Sequence, residues 1–499
     1  MELESYRNQA QEFLSEIDRE YYLHFSGLKE ELNVSEIYIR HHSLFSIENF
    51  NMLRKLLPES GQETAKRVNF LIRFCGEGFM ENQAKELVDK IAELEAKTTV
   101  KIEGEDISFR YSEILLSNQA DRAKRNLIDD ARNSTTAGIF NPMISRYWES
   151  VHGYARGLGY GSYRELIENL KCEDFSWLER QVDHLLESTG ELYTVHFGSI
   201  LKNELGIKLG DSRKSDFAYL KRASKFDRYF KKEILVHVFK DTLREMGFDI
   251  DSQPNIIFDV EERKNKSPRA FCATVKVPEE IYLVVMPRGG QDDYEAILHE
   301  GGHAEHFANT KGSLDFEYKF LGDYAVTEGY AFTLEHLMQN SQWLMHMFGL
   351  SPEDAGQFVY FSNIMKLWFC RRYAAKFKYE LILHDGGTLR GKDAVYRDLL
   401  ESANKMEYSG SDYLKDVDES FYCTNYIRAW IFEAQLKDYM LRKFGRGWFK
   451  KKQAGTFLKE IWSYGQKYNP VEILNQLDFK SLDIEYLINS ISEGITKNK

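Results

Sequence analysis

A helical hydrophobic period runs through nearly the whole chain, and it constrains the fold more than any other feature. Apolar residues recur at three- and four-residue spacing from the start to about residue 250, and again after residue 290. Only 8 of the 499 residues are proline, so few positions interrupt this period. The sequence therefore predicts an all-α, mainly helical protein.

The helical period is interrupted between residues 255 and 287. The stretches NIIFDV and IYLVVMP are short, rich in β-branched residues and bounded by turn residues, which predicts two or three strands. We expect these to be the only strands of the protein and to form a small sheet directly before the next helix. An edge of such a sheet could hold an extended peptide by strand addition.

Charge and hydropathy exclude two classes of partner. The net charge of -12 argues against a nucleic-acid surface, because contacts to phosphates require clustered cations. No apolar run approaches the length that a membrane span requires. We therefore expect neither nucleic acid nor a membrane as a partner.

The first residues and the cysteines indicate a cellular location. The start, MELESYRNQAQEFL, is acidic and helical in spacing, whereas a secretory signal has basic residues followed by an apolar stretch. No CxxC pair occurs among the five cysteines, which are Cys75, Cys172, Cys272, Cys370 and Cys423. Such a set predicts reduced, mostly buried thiols and a cytoplasmic protein.

The strongest chemical signal is the stretch ILHEGGHAEHFA, residues 297–308. His299 and His303 are four residues apart, so on a helix both imidazoles project from one face and can bind the same ion. Glu300 lies directly beside them. This His-Glu-x-x-His pattern is typical of a zinc site in which the carboxylate takes a proton from a metal-bound water.

A zinc ion that performs chemistry needs a third protein ligand and keeps one open position. The segment DYAVTEGYAFTLEHLMQN predicts a second helix, and Glu328 on it follows His303 closely enough for a loop and a return helix. Glu335 lies two turns further along the same face. It is placed to accept the second ring N–H of a ligand histidine, which would fix the tautomer of that ring.

Less specific uses of these residues are also open. Two histidines at this spacing can be ordinary core residues, and carboxylates on a downstream helix can be surface charges. His306 lies three residues after His303 on the same side of the helix. We expect it to support the site or to pack in the core rather than to bind metal.

Two adjacent glycines, Gly301 and Gly302, lie inside the predicted helix, where each costs roughly 1 kcal/mol. A side chain at either position would fill space that a neighbouring helix or a bound substrate must approach closely. We therefore expect this helix to give up stability for access.

The run SPRAFCATVKVPEEIYLVVMPRGGQDDYEAILHEGGHAEHF, residues 267–307, resembles the thimet oligopeptidase and oligoendopeptidase F family of zinc peptidases. In that family the helix reads HExGHAxH, and Glu328 and Glu335 lie where the family carries its third zinc ligand and a supporting glutamate. The resemblance extends to the angiotensin-converting-enzyme-like peptidases. It implies one Zn²⁺ ion held by His299, His303 and Glu328, with Glu300 as the group that activates water.

The resemblance also implies two helical halves around a deep channel that admits short peptides as substrates. We expect a single peptidase domain over residues 1–499, with residues 1–250 as the N-terminal helical half and residues 251–499 as the catalytic half. The expected activity is cleavage of internal bonds in short peptides. Two alternatives are a peptidase that trims dipeptides from C-termini and a catalytically silent relative that binds peptides or a partner protein.

Family members hold the developing oxyanion with a tyrosine and a histidine, and the matching stretch here is ESFYCTNYIRAW, residues 419–430. Tyr422 and Tyr426 are four residues apart, like the family's tyrosine pair, and either could donate to the oxyanion or pack against the channel wall. Ser420 stands where the family has its histidine, which changes half of this site. Arg428 could bind a substrate carboxylate or form an internal salt bridge.

Overall fold

A computed structural model describes residues 2–497 of the chain, apart from the side chain of Glu59. The structure is 71% helical and contains one sheet of two strands and one of three. The prediction of a mainly helical fold is confirmed.

The helices of the described residues are α1 (Leu3–Phe25), α2 (Val34–Arg40), α3 (Ile47–Leu56), α4 (Gln62–Lys97), α5 (Phe109–Asn118), α6 (Arg122–Thr135), α7 (Asn141–Gly157), α8 (Tyr163–Lys171), α9 (Phe175–Ser188), α10 (Gly190–Ile200), α11 (Lys214–Lys221), α12 (Leu235–Glu245), α13 (Gln291–Ala308), α14 (Phe316–Phe320), α15 (Tyr324–Glu335), α16 (Ser341–Phe348), α17 (Pro352–Leu383), α18 (Lys392–Asn404), α19 (Cys423–Phe444), α20 (Lys452–Trp462), α21 (Pro470–Asn475) and α22 (Ile484–Thr496). The strands are β1 (Thr99–Ile102), β2 (Glu105–Ser108), β3 (Ile256–Asp259), β4 (Phe271–Lys276) and β5 (Glu280–Val284).

The three-stranded sheet lies in the region where the sequence predicts strands. Its order is β3-β5-β4, with β3 parallel to β5 and β4 antiparallel to β5. The strand β4 is therefore an edge strand of this sheet, and α13 follows the sheet in the chain. The predicted sheet before the histidine helix is confirmed.

The hairpin of β1 and β2 contradicts the prediction that all strands lie between residues 255 and 287. Its two turn residues, Glu103 and Gly104, both have positive φ angles, of 51° and 94°. This backbone matches the twist of a tight two-residue hairpin turn. Each strand has only four residues, too few for a period of two to stand out beside long helical runs.

The chain divides into two compact units. The first contains residues 1–76, 224–363 and 425–499, and the second contains residues 77–223 and 364–424. Each unit draws on segments from both sides of residue 250. The single domain over residues 1–499 and its division near residue 250 remain predictions.

In the first unit, the three-stranded sheet is covered by α1. The ring of Tyr22 on α1 stacks on Tyr282 of β5 with centroids 3.7 Å apart, and Ala273 and Val284 are buried with it. The helices α13 and α15, which carry the candidate ligands, pack against each other in the same unit. The sheet, α13 and α15 thus belong to the same unit, and α13 packs against β4 and β5.

In the second unit, aromatic packing and buried ion pairs hold the helices together. Phe217 of α11 stacks on Trp368 of α17 with centroids 3.4 Å apart. Arg125 of α6 donates to Asp216 of α11 at 2.8 Å, and both side chains are buried. These contacts join segments that are far apart in the sequence.

The cysteines and the hydropathy of the helices agree with the sequence. All five cysteines are free thiols, and Cys75, Cys370 and Cys423 are buried. Within residues 2–497, none of the helices combines the length and the apolar character that crossing a membrane requires.

Candidate metal centre

Acidic residues begin both helices that carry the candidate ligands. Asp293, in the first turn of α13, accepts hydrogen bonds from the backbone N–H groups of Arg288 and Gly289 at 2.5 and 2.6 Å. Asp323 precedes α15 and accepts from the N–H of Ala325 at 3.0 Å. Carboxylates at these positions satisfy backbone donors and complement the helix dipole, so each helix starts at a defined residue.

The adjacent glycines let α13 approach its neighbours closely. A Cβ atom at Gly302 would lie 2.6 Å from the Cα of Ala331 on α15, and one at Gly301 would lie 2.2 Å from the ring of Phe239 on α12. Real Cβ atoms do not come this close to other heavy atoms. The expected close approach is therefore present, and both neighbours belong to the protein itself.

The structure brings His299, His303 and Glu328 together. One donor atom from each residue lies within 4.8 Å of the other two. The Oε2 of Glu328 is 3.3 Å from Nε2 of His299 and 3.8 Å from Nε2 of His303. Tetrahedral zinc with bonds of about 2.1 Å would place its donors about 3.4 Å apart. The chemistry and spacing of these donors thus fit a zinc ion.

The ring of His299 lies between two carboxylates. Its Nδ1 is 2.7 Å from Oε2 of Glu335, and its Nε2 faces Glu328. Burial opposes a charge on this ring, but the hydrogen bonds to Glu328 and Glu335 raise the pKa of His299 well above its ordinary value. The two carboxylates therefore favour a positive charge at this position, which a metal ion would also supply.

The ring of His303 has a neutral partner. Its Nδ1 is 2.8 Å from the hydroxyl of Thr327, which also lies 3.2 Å from Nδ1 of His306. The Nε2 of His306 is 3.2 Å from the carbonyl oxygen of Gly465, and the ring is fully buried. The hydroxyl of Thr327 thus bridges the rings of His303 and His306. No pattern in the sequence pointed to Thr327 or Gly465 as partners of these rings.

The side chain of Glu300 extends from α13 to the edge strand β4. Its Oε2 accepts a hydrogen bond from the backbone N–H of Cys272 on β4 at 2.9 Å. The N–H of Thr274, also on β4, donates to Oδ2 of Asp18 at 3.2 Å. Desolvation raises the pKa of Glu300 to about 7. A carboxyl group that titrates near neutral pH can both accept and return a proton.

The two tyrosines lie in different units. Tyr426 belongs to the first unit, where its ring is 6.2 Å from Phe332, and Phe332 is 5.0 Å from the ring of His299. Tyr422 belongs to the second unit and is half-buried. The structure therefore places Tyr426 one aromatic ring away from a candidate ligand, and the roles of both tyrosines stay predictions.

Arg428 and Ser420 have defined partners within their own units. Arg428 forms a two-point ion pair with Asp323, the residue that caps α15, and one of its two contacts measures 3.0 Å. The substrate-binding role of Arg428 stays a prediction beside this internal salt bridge. Ser420, which has a positive φ of 50°, donates its backbone N–H to the hydroxyl of Tyr163 at 2.8 Å.

Comparisons with known proteins find similarity in structure rather than in sequence. No protein-family model matches the sequence, and no curated protein matches it either. Among solved structures, PZ peptidase A with an inhibitor is similar, with a TM-score of 0.70 at 15% identity over 100% of this chain and 98% of that one. A Bacillus anthracis strain Ames protein assigned as oligoendopeptidase F has a TM-score of 0.66 at 14% identity, over 96% of this chain and 84% of that one.

A third structure, BsuCP, has a TM-score of 0.63 at 13% identity and covers 99% of both chains. These matches extend over at least 96% of this chain and at least 84% of each of the other chains, so they concern the fold as a whole and not one motif. The resemblance seen in residues 267–307 is therefore confirmed at the level of structure. The chain has the fold of PZ peptidase A and of the oligoendopeptidase F structure.

Proposed function

We propose that this protein is a zinc-dependent peptidase that cleaves internal bonds of short peptides. The observation that carries the proposal is the meeting of His299, His303 and Glu328 within 4.8 Å, with Glu300 on the same helix. Their donor set is one that zinc prefers. A site that only binds peptides would have no need of a carboxylate beside the metal.

Glu300 is the proposed general base and acid. When bound, a zinc ion would acidify a water molecule and polarise the scissile carbonyl. Glu300 takes a proton from the attacking water and delivers it to the leaving amine. Burial raises the pKa of Glu300 in the metal-free protein, and a carboxylate positioned beside the metal can accept a proton and return it.

The peptide itself is proposed to lie along the outer edge of β4. Edge strands present unpaired backbone groups to which an extended chain can add. On β4, the N–H groups of Cys272 and Thr274 donate to Glu300 and Asp18. A peptide that pairs with the N–H of Cys272 must therefore displace Glu300, which couples docking at that position to the placement of Glu300.

The test is a time course with a pool of short peptides, some blocked at both ends, read by mass spectrometry. We expect internal cuts by the zinc-loaded protein. Glu300→Gln should retain one zinc ion and lose most turnover, because an amide cannot take the proton. Glu305→Gln is the matched control on the same helix, since Glu305 bonds to Gln253 and Asn309.

Each outcome separates the alternatives. Cuts in end-blocked peptides exclude obligatory trimming of C-terminal dipeptides. Equal turnover by Glu300→Gln would remove the proposed mechanism. No cleavage by a fully zinc-loaded protein would indicate a silent relative that binds peptides, and Ser420 would then be the first position to change.

Cofactor, partners and location complete the proposal. One Zn²⁺ ion is the proposed cofactor, and short peptides are the proposed partners. A cytoplasmic location is supported by five free thiols, which an oxidising compartment would tend to pair.

A further inference from the structure

Thr327, directly before the candidate ligand Glu328, links His303 to the buried His306. Its Oγ1 lies 2.8 Å from Nδ1 of His303 and 3.2 Å from Nδ1 of His306. The other ring nitrogen of His306 lies 3.2 Å from the carbonyl oxygen of Gly465. These contacts form a continuous relay that ends at a candidate metal ligand.

The carbonyl at the far end of the relay sets the direction of every hydrogen bond. A carbonyl oxygen only accepts, so Nε2 of His306 carries a proton and donates it to Gly465. In a neutral ring, Nδ1 of His306 then accepts from the Thr327 hydroxyl, whose oxygen accepts the Nδ1–H of His303. Reversing this last bond would require an imidazolium at His306, which is 0% exposed, and desolvation strongly disfavours a charge there.

The relay therefore leaves the lone pair of His303 on Nε2, the atom that lies 3.8 Å from Oε2 of Glu328. A metal ion can bind only to the nitrogen that carries this lone pair. The Nδ1 of His299 faces a carboxylate instead, that of Glu335 at 2.7 Å. We propose that Thr327 and His306 are positioning residues that fix the tautomer of His303 for metal binding. This inference rests on the zinc site of the proposed function.

The first test measures zinc affinity by competition with a chromogenic chelator. Thr327→Val keeps the shape of the side chain and removes the hydroxyl, and we expect its zinc affinity to fall about 10- to 100-fold. Thr327→Ser restores the hydroxyl and should bind zinc nearly as tightly as the parent protein. Thr333→Val is the control, because Thr333 is also buried on α15 but donates to the carbonyl of Gly329.

The second test reads the tautomers directly, from ¹⁵N spectra of the metal-free protein labelled at histidine. We expect the proton of His303 on Nδ1 and that of His306 on Nε2, with signals assigned from His303→Gln and His306→Gln. A proton on Nε2 of His303 would overturn the inference, and so would unchanged zinc affinity in Thr327→Val. If Thr327→Val does not fold, the spectrum of the parent protein still decides, because it reports the tautomer of His303 directly.

Neither readout depends on peptide cleavage. If Thr327→Val weakens zinc binding but the parent protein cuts no peptide, the proposed function is contradicted and this inference stands. If the parent protein cuts peptides but Thr327→Val binds zinc as tightly as the parent, this inference is contradicted and the proposed function stands.

Discussion

The Nδ1 of His299 lies 2.7 Å from a carboxylate oxygen of Glu335, whereas the equivalent atom of His303 lies 2.8 Å from the hydroxyl of Thr327. The two candidate ligand rings thus have partners of different charge. A carboxylate makes an imidazole more basic and a stronger ligand, while a hydroxyl only orients it. We expect His299 to contribute more to metal affinity than His303 does.

Glu335→Gln tests this asymmetry. The amide keeps the size of the side chain but removes its charge, so we expect zinc affinity to fall about 10- to 100-fold, at least as far as in Thr327→Val. Chelator competition measures the change. Glu433→Gln is the matched control, because Glu433 bonds Nδ1 of His336 at 2.9 Å outside the donor set. Equal zinc affinities in the two variants would show that the charge of Glu335 has no effect on the metal.

Gly302→Ala tests the close approach of α13 to α15. The added methyl group would lie 2.6 Å from the Cα of Ala331, so the helices must separate. We expect a loss of about 1–3 kcal/mol in the free energy of unfolding, measured with urea, and weaker zinc binding because the ligands lie on both helices.

Gly153→Ala is the control. Gly153 lies within α7 with no heavy atom within 4 Å of the added methyl, and alanine there should stabilise the helix slightly. A stable, zinc-binding Gly302→Ala protein would contradict the packing described.

The part of the site that the sequence predicted depends on local geometry. His299, Glu300 and His303 are recognisable because the period of a single helix fixes which side chains share a face. Glu328 required one further step, a second helix whose period is also visible. Their meeting within 4.8 Å follows from two local patterns and one short connection.

The part that the sequence could not predict depends on tertiary packing. Thr327 differs from any other helical threonine only in what lies opposite it, and Gly465 is far from His306 in the chain. The bond from Cys272 to Glu300 requires knowing which strand is at the edge of the sheet. Gly301 indicated a close neighbour, but only the structure identifies it as the ring of Phe239.

Glu380, in the second unit, should make stability depend on pH. Burial raises its pKa from 4.5 to about 8, although Lys376 opposes this shift, and its carboxyl contacts the Asp418 N–H and the Cys423 thiol. Between pH 4.5 and about 8, the carboxyl group of Glu380 is therefore protonated in the folded protein but ionised in the unfolded protein. The stability from this group is complete below pH 4.5 and is lost as the pH rises through 8, by at most about 1.4 kcal/mol per pH unit.

Glu380→Gln removes the titrating proton and preserves the shape of the side chain. We expect urea unfolding between pH 5 and 9 to show a smaller loss of stability in this variant than in the parent protein. Glu401→Gln serves as the control. Glu401 lies in the same unit and accepts a hydrogen bond from the backbone N–H of Tyr408. Parallel pH profiles for parent and Glu380→Gln would mean that Glu380 is already ionised in the folded protein.

Tyr426→Phe tests the proposed donor to the oxyanion. Its ring is linked to His299 through Phe332, with centroid separations of 6.2 and 5.0 Å. Removing one such donor lowers kcat about 100- to 1000-fold in other hydrolases, so we expect a fall of that order with KM and zinc content unchanged. Tyr422→Phe measures the second candidate. Tyr439→Phe, further along α19 where the ring packs on Phe457, is the control and should leave kcat unaltered. Full kcat in Tyr426→Phe together with a large loss in Tyr422→Phe would assign the oxyanion contact to Tyr422, because only the hydroxyl whose removal slows the chemical step can stabilise the transition state.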